Sequence, residues 1–217
     1  MEVASPSVQN VESTIWFLQE SDLYSTVKPY SLAFTPQGSL PRDNIVRTEV
    51  HVSVSDLRGS SHSFSLEQNG FMLLNLDGQD HTVDWDSQEA VEKVHYPTVI
   101  AAVERADYSV WHPLQGPNQD WPLALCDAAT LDPQRDLEVA DYVTRTTNRE
   151  HSLVYARPSH RWWYLSEQKS SEALLFRQHD SAKGSMSGVP HASFQNPNSV
   201  QKKPRESIEV VVVIFTP

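Results

Sequence analysis

The chain has 217 residues, 39% of them hydrophobic, and a formal net charge of −11. That length suits one globular domain able to bury roughly 70% of its unfolded surface, while the deficit of Lys and Arg excludes sequence-independent binding to DNA or RNA and disfavours an anionic membrane surface. The single cysteine, Cys126, follows the apolar run Pro122-Leu123-Ala124-Leu125; it leaves no disulfide framework or cysteine zinc site and reads as a buried structural thiol.

Residues 1–9 are polar and Ser-rich, expected to fray, and lack the basic start and apolar centre of a signal peptide. No apolar run approaches the length of a membrane span, so a soluble, cytoplasmic protein is expected. Residues 1–27 are assigned to a partly flexible N-terminal extension and 28–217 to a single domain. Lys28-Pro29-Tyr30 and the cluster Pro36, Gly38, Pro41 read as loop. From 46 to 54 apolar and polar residues alternate, with Val46, Thr48, Val50, Val52 and Val54 on one side, the period of a half-buried strand. Asp56-Leu57-Arg58-Gly59 supplies a turn, and 63–66 with 71–76 read as short extended pieces around the Asn69-Gly70 turn, like a hairpin.

A helix is expected over 86–106, capped by Asp86 or Ser87, with Pro97 kinking it or dividing it in two. His95 beside its apolar side reads as a packed histidine. Tyr108-Ser109-Val110-Trp111-His112-Pro113-Leu114 and the run 121–127 follow as buried segments around a turn at Gln115-Gly116-Pro117-Asn118. Residues 132–141 read as loop or short helix, and 139–147 could pair with 152–155. From His160 onward three aromatic or β-branched runs dominate: Trp162-Trp163-Tyr164, Glu172-Ala173-Leu174-Leu175-Phe176, and Val210 to Phe215, which Arg205-Glu206-Ser207-Ile208-Glu209 leads into. Such side chains pack well on a pleated surface. Between the last two runs stands His191 on a loop, and Arg205 sits at the mouth of the final run, so that the two can face one cavity. Alternation sets Trp163 opposite Trp162 and Tyr164, one face core and the other available to a pocket. Many short strands with one helix in the first half point to a mainly β jelly roll or sandwich with a flanking helix.

The chain resembles the fungal hydroxylase/desaturase family, which includes gibberellin-desaturase-like proteins and relatives of a cephamycin methoxylation component. The resemblance is carried by Asp56-Leu57-Arg58-Gly59 with Phe64-Ser65-Leu66, Val110-Trp111-His112-Pro113-Leu114 with Trp121-Pro122-Leu123-Ala124-Leu125-Cys126-Asp127, His160-Arg161-Trp162-Trp163-Tyr164, Pro190-His191-Ala192-Ser193-Phe194 and Pro204-Arg205-Glu206-Ser207-Ile208. It implies a double-stranded β-helix, jelly-roll or cupin-like. For oxygenase members it implies iron(II) and 2-oxoglutarate, with His191 as the second metal histidine and Arg205 as the two-pronged partner of the 2-oxoglutarate carboxylate.

The pattern breaks at the other metal ligands. None of the nine histidines, at 51, 62, 81, 95, 112, 151, 160, 179 and 191, is followed two positions later by Asp or Glu. In the family a strand and a long segment bearing a His-x-Asp pair precede the Trp-Arg-Pro-like motif, whereas here Ala106-Asp107-Tyr108 leads almost directly to Trp111. The metal-bearing segment is therefore expected to be missing and the barrel incomplete. Family positions that usually hold Arg and an aromatic carry His112 and His179, adding imidazoles that titrate near neutrality.

The leading expectation is an enzyme of fungal secondary metabolism that needs no cofactor and binds no metal. It would catalyse a non-redox cyclisation, isomerisation or dehydration on a small apolar substrate, as a cyclase, isomerase or lyase. In it His191, His179 or His112 moves a proton, Asp180 or Asp127 orients an imidazole, Arg205 or Tyr164 stabilises developing oxyanion charge, and Trp111, Trp163 and Asp127 line the substrate. The alternatives are an iron(II)- and 2-oxoglutarate-dependent hydroxylase or desaturase with His112, His179 or Asp180 as unorthodox ligands, and an accessory subunit. The open strand edges of a shortened barrel favour a homodimer or pairing with a pathway enzyme.

Overall fold

The structure, a computed structural model, describes residues 10–76, 83–84, 86–97, 107–184, 186–199 and 203–213. Its strands in chain order are β1 (Val11–Leu18), β2 (Tyr30–Leu32), β3 (Arg47–Asp56), β4 (Phe71–Asn75), β5 (Asp107–Pro113) and β6 (Leu123–Cys126). They continue with β7 (Leu137–Val143), β8 (Asn148–Val154), β9 (Trp162–Tyr164), β10 (Glu172–His179), β11 (His191–Ser193) and β12 (Ser207–Val212). Three sheets result, ordered β1-β3-β9-β6-β11, β12-β5-β10-β4 and β2-β7-β8. The mainly β, jelly-roll architecture expected from the sequence is the one observed.

The alternation read over 46–54 sets the register of the first sheet. Val50, Val52 and Val54 of β3 pack inward, and β1 lies antiparallel along the strand, Val11 opposite Val54 and Leu18 opposite Arg47. Val11, Ile15 and Phe17 thereby enter the core, although they belong to the stretch read from the sequence as an extension. Trp162 and Tyr164 face this cluster with Ala124 and Cys126, while Trp163, Leu123 and Leu125 face the second sheet, where they meet Phe71, Trp111, Leu174 and Phe176. Both faces of β9 and β6 are thus buried, which is why these strands read as continuous apolar runs instead of alternating ones. Cys126 is buried as expected, and burial pushes its thiol up to about 12.

The expected hairpin does not form. Residues 63–66 are not a strand: the Asn69 N–H donates to the Ser65 carbonyl and the Ser65 N–H to Asn69 Oδ1, so local bonds satisfy the backbone that a ladder would otherwise need. The partner of β4 is β10 instead, with Phe71 opposite Phe176. Gly70 closes the turn with φ of +76°, and a Cβ there would lie 2.5 Å from Val189 Cγ2. Gly70→Ala therefore combines left-handed strain with a clash, and we expect a loss of about 1–3 kcal/mol as a lowered thermal midpoint in calorimetry.

Of the helix expected over 86–106, Gln88–Ala90 is α-helical and passes into a π-helical turn, Val91–His95. The cap is Ser87, whose Oγ accepts from the Ala90 N–H. Residues 98–106 lie outside the described residues. The segment around 132 resolves into a short helix, Pro133–Asp136, capped by Asp132. It leads into β7, and the predicted pairing of β7 with β8 is present, Val139 opposite Ser152.

Candidate functional site

A cleft of about 590 Å³ opens where the end of β1 and the start of β3 meet β8 and the segment that leads from β10 into β11. One wall is apolar, from Trp16, Phe17, Leu18 and Ile45; the polar lining includes Arg47, Glu150 and His151 on one side and Gln178, His179 and His191 on the other. Trp16 is 61% exposed, presenting its ring to the opening, whereas Phe17 behind it is buried.

His191 opens β11, opposite Leu125 of β6. Its Nδ1 lies 2.9 Å from the Val189 carbonyl, and since a carbonyl only accepts, Nδ1 is the donor, which in the neutral ring leaves the lone pair on Nε2. Its ring rests on Phe176, centroids 4.7 Å apart. The approach to β11 is fixed by Gly188, where a Cβ would stand 2.5 Å from the Gln178 carbonyl oxygen, so only glycine lets this segment lie so close to β10. His179 reaches the same cleft because the pairing of β10 with β5 shifts register between Arg177 and His179, an irregularity that re-aims a side chain.

Arg205 stands just ahead of β12, half-buried, in a separate hollow of about 70 Å³ with Gln115, Asn118 and Glu206. Its guanidinium lies over the Trp111 ring, 5.4 Å from the centroid, and its Nη1 donates to Ser193 Oγ at 2.8 Å and to the Trp121 carbonyl. Its backbone N–H is held by Asp120 Oδ2. Burial lowers the guanidinium's pKa, with Asp120 acting the other way, and no salt bridge to it is found among the described residues. Ser193 is two positions from His191 on β11 and so on the same face of the strand. His191 and Arg205 are therefore linked through one strand face but line different hollows.

The remaining residues singled out from the sequence are placed elsewhere. His112 is fully buried on β5, its Nδ1 3.1 Å from the Pro113 carbonyl. Asp180 shapes the turn after β10, accepting from the Ala182 N–H while its own N–H donates to Ser187 Oγ. Tyr164 is buried edge-on to Phe194, and its hydroxyl is pushed up to about 12 by burial and by the charge of Asp56. Trp111 and Trp163 belong to the core between the two larger sheets. Asp127 caps a short turn through Ala129 and accepts from Asn69. Of the six catalytic candidates, His179 and His191 share the cleft. Arg47, His151 and Trp16, which also line it, are not marked as site residues by the sequence: nothing local marks a strand end and a β8 residue as neighbours, and they meet through the bridge of Leu18 with Tyr155.

A family model described as an oxidoreductase/YMDC permease-like domain matches residues 15–109 and 107–215. The chain belongs to this family. Its relatives include hydroxylase/desaturase asaB of Aspergillus flavus, 28% identical over 185 residues, 76% of this chain and 79% of that one. Aspirochlorine biosynthesis protein N of Aspergillus oryzae is 39% identical over 111 residues, and the Fe(II)/2-oxoglutarate-dependent dioxygenase nvfI of Aspergillus novofumigatus 34% over 112. Those two matches take in 49% and 50% of this chain and only 46% and 40% of the relatives' lengths. The solved iron and alpha-ketoglutarate-dependent endoperoxidase NvfI superposes with a TM-score of 0.78 at 22% identity, covering 93% of this chain and 96% of that one, and shows a shared fold. The resemblance to fungal hydroxylase/desaturases read from the motifs is thus established.

These relatives correct one expectation. A cofactor-free protein was expected, yet nvfI is by name an iron(II)- and 2-oxoglutarate-dependent dioxygenase and the solved NvfI an iron- and alpha-ketoglutarate-dependent enzyme. Absence of cofactor does not stand as the reading of the family scaffold, and the relatives lend the non-redox cyclisation no support. The donor set is nonetheless short: among the described residues no group of three His, Cys, Asp or Glu side chains comes together to hold a metal. His191 turns Nε2 away from its Nδ1 hydrogen bond, but His112, His179 and Asp180 do not complete a ligand set around it, so the described residues alone do not fit an iron site. No helix among them is long and apolar enough to cross a membrane.

Proposed function

We propose that the chain serves an iron- and 2-oxoglutarate-dependent oxidation, of the hydroxylase/desaturase type, on a small and largely apolar fungal metabolite bound in the cleft beside His191. The reading is carried by the state of His191 and Arg205, the positions that the motif resemblance assigns to a metal histidine and to the partner of the 2-oxoglutarate carboxylate. A neutral imidazole whose Nδ1–H is committed to a backbone carbonyl is the form in which histidine serves as a metal ligand. A half-buried guanidinium without a salt-bridge partner among the described residues is the form that takes up a carboxylate.

Iron and 2-oxoglutarate would supply the oxidising power, with His191 as one donor to the metal and further donors needed beyond those that the described residues bring together; the chain's own residues hold and orient. Ser193 and the Trp121 carbonyl fix Nη1 of Arg205, and Trp111 supports the plane of its guanidinium. Phe176 supports the ring of His191. The apolar wall of Trp16, Leu18 and Ile45 removes water from one side of the substrate. Succinate release from 2-oxoglutarate by iron-supplemented protein in air tests the proposal: measurable turnover that vanishes in His191→Ala is expected, and equal succinate from the wild type and His191→Ala would reject it.

A further inference from the structure

Resting on the reading of the cleft as the substrate site, we infer that its occupant is a small amphiphilic acid, held with its apolar body along Trp16, Leu18 and Ile45 and its single anionic group at Arg47. Arg47 is the first residue of β3 and lies in the cleft wall opposite Leu18. In a chain with a formal charge of −11 an arginine ordinarily finds a carboxylate, yet no salt bridge to Arg47 exists among the described residues. Glu150, the one acidic residue in the wall among the described residues, is already committed: its Oε1 lies 2.5 Å from Lys28 Nζ, which also takes Asp141 at 2.7 Å. Glu49, two positions on along β3, accepts from Thr14 Oγ1 at 2.7 Å.

With Glu150 paired to Lys28, the Arg47 guanidinium is the charge in the cleft wall left without a salt-bridge partner among the described residues. His151 lines the same wall, and burial together with the Arg47 charge pushes its imidazole below the usual range, against the pull of Asp141. A neutral imidazole beside a guanidinium offers a second N–H without adding repulsion, which suits an oxyanion of the ligand between the two. On the far side His179 and His191 place the remainder of the ligand next to the proposed reacting centre. Substrate selection by charge at Arg47 and by area at Trp16 follows.

The test uses purified protein without added iron or 2-oxoglutarate, with 1-naphthoate and its methyl ester as probes, read by tryptophan fluorescence quenching and calorimetry. Naphthoate is expected to bind at least tenfold more tightly than the ester. Arg47→Gln should erase that preference with ester affinity unchanged, and Trp16→Ala should weaken both probes. Both side chains are exposed, so unchanged melting temperatures will show that the variants fold. Equal affinity for acid and ester, no binding of either, or an acid preference that survives Arg47→Gln and disappears in Arg205→Ala would each overturn the inference. Because iron and 2-oxoglutarate are absent from this measurement, its failure leaves the oxidation proposal standing, and loss of succinate turnover leaves this result intact.

Discussion

Asp136→Ala is expected to cost about 3–5 kcal/mol of folding stability, the usual penalty for breaking a buried ionic network by removing one partner, and to be the most damaging single substitution outside the apolar core. Asp136 is fully buried at the end of its short helix. Its carboxylate accepts from Arg135 Nε at 2.7 Å, from the Asp132 N–H at 2.9 Å, and from His160 Nε2 and Arg157 Nε at 3.0 Å each. Arg157 also reaches Glu20 ahead of β2. One carboxylate thus ties the strand pair β7 and β8 to the chain entering β9 and to the N-terminal segment. Loss of the side chain leaves Arg157 and the almost wholly buried His160 facing an empty site.

The same group gives the protein an acid-sensitive component. Hydrogen bonds from Arg135, the Asp132 backbone, His160 and Arg157 hold the Asp136 carboxyl far below the usual carboxylate range, against burial, which pushes it up. A folded-state pKa below that of the unfolded chain contributes stability that is fully present above about pH 4 and is lost as pH falls through the folded value. Urea midpoints measured from pH 6 downward should fall more steeply for the wild type than for Asp136→Ala. Parallel slopes would show that another group carries the acid sensitivity.

The second large effect is expected at Arg205. Lysine keeps the charge but lacks the planar fork, so Arg205→Lys should lower 2-oxoglutarate affinity by at least tenfold, with the melting temperature little changed. Arg205→Ala should add a modest loss of stability, about 1 kcal/mol, from the lost contact with the Trp111 ring. Equal 2-oxoglutarate affinity in wild type and Arg205→Lys would place the co-substrate elsewhere.

Much of the fold was legible because patterning and burial agree. The 46–54 alternation, the 139–147 and 152–155 pair, and the opposed faces of Trp162 and Trp163 all follow from the two-residue period of a strand. The hairpin at Asn69-Gly70 was misread because the turn signal is genuine while the first arm bonds to itself, a competition that no period reveals. Of the residues that line the cleft, His191 and His179 stand out by motif position, and Arg47 and His151 do not, since their meeting depends on β1 reaching across to β8. His160 was read with its aromatic run and proves to be a partner of Asp136.

The family match comes in two pieces that meet at residues 107–109, immediately ahead of the Trp111 motif. In the described structure β11 and β12, the strand of His191 and the strand that follows Arg205, each end a sheet.

Anaerobic equilibrium dialysis of the purified chain against iron(II) and 2-oxoglutarate, separately and together, bears most directly on the proposed oxidation. Binding of both, each strengthening the other, with iron lost in His191→Ala and 2-oxoglutarate weakened in Arg205→Lys, is the predicted result. Failure to retain either one, singly or in combination, would contradict it.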